Sequence, residues 1–265
     1  MSKTIVFVHG AFMTPLCWEK MLGYFQGKGY TCLAPTWPHK DVPIEQLRKQ
    51  PDALAGLGVT EIVDHYARVI RGLDEPPILI GHSFGGLFVQ MLLDRGLGAA
   101  GVAIDPAPPK GVLPMGTAWK ANAWILFTWR GWKKVIRSSL EAFSYSFVHT
   151  LPAAEQRAVY EKYVVPETGR IFFQAGFALL DPKQAVRVNF RNATRAPLLI
   201  TAGLEDRVVP AVMVKSNFKK YRSSAARTDF KEFPGQTHWL IANPGWEDVA
   251  GYIETWLNQV VPQQA

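Results

Sequence analysis

The sequence predicts an α/β domain: a mostly parallel sheet, flanked by helices on both faces, with one helical insertion. Three observations carry this expectation. Short apolar runs alternate with helical patterns along the chain. The runs are continuously apolar rather than alternating, as in strands covered on both faces. The alternation breaks once, between about Pro106 and Arg195.

In chain order, Ile5–Val8 reads as a strand. Pro15–Gln26 reads as a helix, with Trp18, Leu22 and Phe25 on one face. Tyr30–Ala34 is the next strand, and Val59–Gly72 a helix with Ile62, Tyr66, Val69 and Leu73 at helical spacing. Pro77–Ile80 is a strand, followed by a buried helix over Gly86–Leu93, and Ala100–Ile104 is a strand again. Beyond the break, Pro197–Ala202 and Thr228–Phe233 are the last two strands and Gly245–Val260 the closing helix. The core domain is therefore expected over 1–105 and 196–265.

The segment 106–195 reads as all-helical. Ala153–Val165 is a helix opened by Pro152, with Glu155 in its first turn, and Glu167–Leu180 is another. A helical insertion after a sheet strand is placed as a lid over the strand ends, where open α/β sheets bind ligands.

A chain of 265 residues with 48% hydrophobic residues can bury a large core, which excludes global disorder. Its net charge is +7, but the basic residues are scattered and form no nucleic-acid-binding module, so no nucleic-acid partner is expected. No apolar run approaches the length of a membrane span, and the short run Ile5–Val8 does not make a secretory signal. Cys17 and Cys32 are the only cysteines and are read as small buried thiols. A cytoplasmic protein, monomer or homodimer, is expected.

The most informative stretch is Gly81-His82-Ser83-Phe84-Gly85, a G-x-S-x-G pattern between a strand and a helix. A serine on so sharp a turn is held strained with its hydroxyl exposed, which makes Ser83 the candidate nucleophile. Serine needs a base to take its proton, an acid to orient that base, and donors for an oxyanion. His238, in the loop after the last strand, is the candidate base. Asp206, in Gly203–Pro210 after the preceding strand, is the candidate acid, and the order Ser, Asp, His suits this architecture. Asp105 is the rival acid. Glu205 is expected to point elsewhere, His82 to pack beneath the nucleophile, and His9 to tie down its own loop. The oxyanion donors are placed at the backbone N–H groups of Phe84 and Ala11, with Phe12 as the alternative to Ala11.

His9-Gly10, Gly81–Gly85, Gly203–Pro210 and Gly235–His238 together resemble the α/β-hydrolase fold family over nearly the whole chain. The short N-terminus is similar to the compact branch of plant-type esterases, hydroxynitrile lyases and small bacterial carboxylesterases. That resemblance implies a serine carboxylesterase with no metal and no organic cofactor. Ser83 stands where dehalogenases and epoxide hydrolases of this fold carry aspartate. Gly10-Ala11 and Trp239 stand where the lyases carry a hydroxyl residue and a lysine.

Trp119, Trp124, Phe127, Trp129, Phe143, Phe147, Phe172 and Phe173 supply apolar area for a pocket in the lid, most of them packing the lid itself. Arg130 and Lys133 are the only cations considered for an anionic substrate. The expected substrate is thus a neutral, moderately hydrophobic small-molecule ester. The same triad serves lactone, amide, thioester, C–C and perhydrolysis chemistry. A slow-turnover small-molecule receptor is a further reading. The Trp-rich basic stretch Trp119–Arg137 also suits an enzyme acting on lipids.

Overall fold

The computed structural model describes residues 3–261. Strand β1 spans Thr4–Val8. A 3-10 turn, Pro15–Trp18, leads into helix α1, Glu19–Gly27. Strand β2, Thr31–Leu33, is followed by the short helix α2, Ile44–Lys49, and by α3, Val59–Arg71. Strand β3, Ile78–His82, runs into α4, Phe84–Asp94, and then β4, Ala100–Ile104.

The segment after β4 holds α5, Ala118–Leu126; β5, Val135–Ile136; α6, Leu140–Phe147; α7, Ala153–Tyr163; β6, Glu167–Thr168; and α8, Arg170–Gly176. The chain then returns to the sheet with β7, Leu198–Gly203, α9, Ala211–Lys220, β8, Thr228–Phe233, and α10, Trp246–Val260.

The main sheet has the order β2-β1-β3-β4-β7-β8, and every neighbouring pair is parallel. The continuous apolar runs explain this: β3 and β4 are buried at every residue, which needs cover on both faces. Helix α4 is buried from Phe84 to Leu93, as expected of a helix that is apolar all round. Helix α3 buries Val59, Ile62, Val63, Tyr66, Ala67 and Ile70, a single face at helical spacing.

Parallel register brings the functional loops to one edge. Val8 pairs with Gly81, His82 with Ile104, Ile104 with Thr201 and Gly203 with Phe233. The loops that follow β1, β3, β4, β7 and β8 therefore all emerge on the same side.

Two expectations need correction. The segment 106–195 is not all-helical, because β5 and β6 pair antiparallel within it. The helix expected over Glu167–Leu180 begins only at Arg170 and ends at Gly176. Tertiary hydrogen bonds override local propensity there. The Glu167 carboxylate accepts from the Phe12 and Thr168 amides, and the Thr168 hydroxyl donates to the Leu57 carbonyl. Helix α2 went unpredicted, being too short to show a period. Both cysteines are free, Cys17 buried and Cys32 only half-buried.

Candidate active site

Ser83 sits at φ 56° and ψ −120°, outside the comfortable regions for a residue with a side chain. The turn is pinned from several directions. The Ser83 amide donates to the Ile104 carbonyl at 2.9 Å, and the Ser83 carbonyl accepts from the amides of Leu87 and Ala107. The flanking glycines are required by close approach. A Cβ on Gly81 would collide with the Gly85 carbonyl, and one on Gly85 with the Val8 carbonyl. The strain is thus held by the packing of β1, β3 and α4 around it.

His238 and Asp206 meet. His238 Nδ1 lies 2.6 Å from Asp206 Oδ2, and both side chains are fully buried. The other Asp206 oxygen accepts from the amides of Val208 and Val209 at 2.7 and 2.9 Å. Burial works to raise the Asp206 pKa, but the His238 charge and the hydrogen bonds it receives outweigh that and hold it below the usual carboxylate value.

Asp105 lies 4.0 Å from the same His238 nitrogen and instead accepts from the Gly203 amide. Burial and the neighbouring Asp206 charge raise its pKa well above the usual value. Asp105, Asp206 and His238 bring their donor atoms within 4.8 Å of one another. Both Asp206 oxygens and His238 Nδ1 already have hydrogen-bond partners, so the group suits proton traffic better than a cation. His238 Nε2 has no partner among the described residues.

His82 lies beneath this pair, its ring 4.7 Å from that of His238. Its Nε2–H donates to the His238 carbonyl at 2.7 Å, which fixes the tautomer. Burial, then the His238 charge, lowers its pKa to about 3. His9 is likewise buried and neutral. It accepts from the Trp37 amide at Nε2, donates to the Gly10 carbonyl from Nδ1, and stacks on Trp37. Burial and the Lys40 charge hold its pKa well down.

Against the loop that carries Ala11 and Phe12 lies a group that sequence reasoning missed. Lys40 and Glu167 form an ion pair at 2.6 Å with both side chains wholly buried. Lys40 also donates to the Met13 carbonyl and lies over the Trp37 ring. Burial lowers the Lys40 pKa and the Glu167 charge opposes that. Glu167 accepts the Phe12 amide at 3.0 Å. Phe12, the alternative oxyanion donor, is therefore engaged, and its φ is +63°. The Ala11 amide has no acceptor among the described residues. No local pattern announces the pair, because its members stand 127 positions apart.

Ser83, Ala11, Phe12 and Phe84 form part of the wall of an apolar pocket enclosing about 960 Å³ of empty space, part of it open to solvent. Four of the eight expected aromatic residues line it: Trp119, Trp124, Phe147 and Phe172. Phe143 stacks behind Phe147, and Phe173 packs against Trp132. Phe127 and Trp129 face solvent. Neither Arg130 nor Lys133 lines the pocket. Val208, Val209 and Met213 contribute from the loop after β7 and from α9.

A profile of the alpha/beta hydrolase family matches residues 5–250. The chain belongs to the alpha/beta hydrolase family. A search of curated proteins returned no match. Solved structures of the family superpose over almost the whole chain. A monoacylglycerol lipase from Paleococcus ferrophilus is 23% identical with TM-score 0.67, covering 96% of this chain and 93% of the lipase. Tomato methylketone synthase I complexed with 2-tridecanone is 15% identical with TM-score 0.69, covering 98% and 99%. A pyrethroid hydrolase from Sphingobium faniae is 17% identical with TM-score 0.64, covering 99% of each chain. At these identities the likeness speaks for the alpha/beta hydrolase fold alone.

Proposed function

We propose that the protein is a serine hydrolase that cleaves carboxylic esters of neutral, moderately hydrophobic small molecules through an acyl-enzyme. The observation that carries this reading is Ser83, strained on its turn at the wall of an apolar pocket, on the same sheet edge as the buried Asp206–His238 pair.

In this mechanism Ser83 Oγ attacks the ester carbonyl while His238 Nε2 takes its proton. Asp206 holds the imidazole in the tautomer that leaves Nε2 free, and it stabilises the imidazolium. The amides of Ala11 and Phe84 stabilise the oxyanion, Phe84 with the added polarity of the α4 N-terminus. His238 then protonates the leaving alcohol and activates the water that hydrolyses the acyl-enzyme. No metal or organic cofactor enters any step. Segment 106–195 acts as the lid over a core of 1–105 and 196–265, and its Trp119, Trp124, Phe147 and Phe172 bind the apolar part of the substrate.

Hydrolysis of p-nitrophenyl esters, acetate to decanoate, tests this directly. Turnover is expected in the wild type and is reduced by about 10⁴-fold or more in Ser83→Ala. Turnover that survives the substitution removes Ser83 from the mechanism. Absence of turnover at every chain length removes the simple ester.

A further inference from the structure

The outer face of the segment beside the pocket is apolar and basic together. Phe127 is 87% exposed, Trp129 79% and Leu180 80%. Trp132 and Phe177 extend this surface, joined through Phe173, which contacts both rings. Isolated exposed apolar residues are ordinary, but three exposed aromatic side chains within six residues, Phe127, Trp129 and Trp132, are not. The surface adjoins the pocket, since Trp124 and Leu126 line the pocket and Phe127 is the next residue.

The charge of this surface is one-sided. Residues 106–140 contain six basic residues and no acidic one. Arg130, Lys133 and Lys134 alternate with Trp129 and Trp132, are exposed, and form no ion pair among the described residues. Glu141, the next residue beyond that stretch, is acidic and exposed, and Asp181 accepts the amides of Lys183 and Ala185.

Large aromatic side chains beside cations suit the boundary between water and acyl chains, where rings sink to the headgroup level and cations meet anionic headgroups. A second copy of this chain fits poorly, because a two-fold contact would set Arg130, Lys133 and Lys134 against their own equivalents. We infer that the face built from Phe127 to Lys134 with Phe177 and Leu180 docks on an anionic lipid surface and presents the apolar pocket to it. The inference takes from the proposed function only that substrate enters through this pocket.

Vesicle sedimentation without substrate tests it. The probes are phosphatidylcholine vesicles and phosphatidylcholine–phosphatidylglycerol vesicles. The protein is expected to sediment with the mixed vesicles, to stay in solution with pure phosphatidylcholine, and to be released by salt. Arg130→Gln/Lys133→Gln/Lys134→Gln should weaken partitioning by about a hundredfold, roughly fivefold per basic residue. Phe127→Ser/Trp129→Ser should weaken it by about tenfold or more. Both variants should hydrolyse a water-soluble short ester as the wild type does, and Ser83→Ala should sediment like the wild type. That last result separates docking from chemistry, since it holds whether or not Ser83 is the nucleophile. The inference is overturned by wild type that ignores the mixed vesicles, by equal binding to both compositions, or by variants that bind undiminished. It is also overturned if the aromatic variant turns a dimer into a monomer while vesicles bind neither, because the face is then a contact between copies.

Discussion

Two buried charge networks hold the loops around the pocket, and they are built on opposite plans. In one, His238, Asp206 and Asp105 crowd within 4.8 Å, with one ring nitrogen unpartnered among the described residues and the Asp105 pKa raised by burial. In the other, Lys40 and Glu167 pair at 2.6 Å, and Glu167 also holds two backbone amides. The first network keeps a ring nitrogen that has no partner among the described residues. In the second, both Glu167 oxygens are engaged and Lys40 also donates to the Met13 carbonyl. Burial alone therefore does not mark a group for chemistry; an unmet valence beside a pocket does.

The sharpest break in this comparison lies within the first network. On the proposed mechanism, Asp206→Asn lowers kcat by about 10⁴-fold, because it loses the partner that sets the His238 tautomer. Asp105→Asn should cost about tenfold or less, since it touches Gly203 and stands 4.0 Å from the ring. Steady-state kinetics of the two variants decide between the acids, and the reverse order would make Asp105 the partner.

The second network predicts a stability effect first. Lys40→Met leaves Glu167 buried and unpaired and should destabilise by about 3–5 kcal/mol, read from denaturant unfolding. Lys40→Met/Glu167→Leu should recover much of that loss, since a paired apolar replacement removes both desolvated charges. Activity should not recover with it. The Phe12 amide then lacks its acceptor, and the loop bearing Ala11 loses its anchor, so kcat stays low while KM changes little. A double variant with full kcat would reduce the pair to packing.

A pH effect separates the buried histidines from the ion pair. His82 has a folded pKa of about 3 against an ordinary 6.5, and His9 is lowered as well. Between those values the unfolded chain binds protons that the folded chain refuses. Stability is therefore complete above about pH 6.5 and falls as pH drops, by about 1.4 kcal/mol per pH unit for each histidine. His82→Gln should flatten the acid limb by the share of one proton, measured by unfolding at pH 4, 5 and 6.

Much of this was legible in the sequence. The main strands announce themselves as apolar runs, and the Gly81–Gly85 pattern needs only its strand-to-helix setting to be noticed. Asp206 and His238 stand in loops whose common edge follows from parallel topology. The rest depends on distance. Lys40 and Glu167 are brought together only by the fold, and the same contact removes Glu167 from the helix its neighbours predict. Strands β5 and β6 have two residues each, too few for any period. The engagement of the Phe12 amide likewise depends on a backbone angle and a remote carboxylate.

Glu167 has a consequence for anyone who would exchange parts between homologues. It belongs to the segment that shapes the pocket, yet its carboxylate grips the loop that shares the pocket wall with Ser83. A graft that swaps 106–195 for another protein's version, to import a new selectivity, discards that grip and strands Lys40 in the interior. The interchangeable piece is larger than it looks: a working chimera must carry Lys40 and the Gly10–Met13 loop along with the graft.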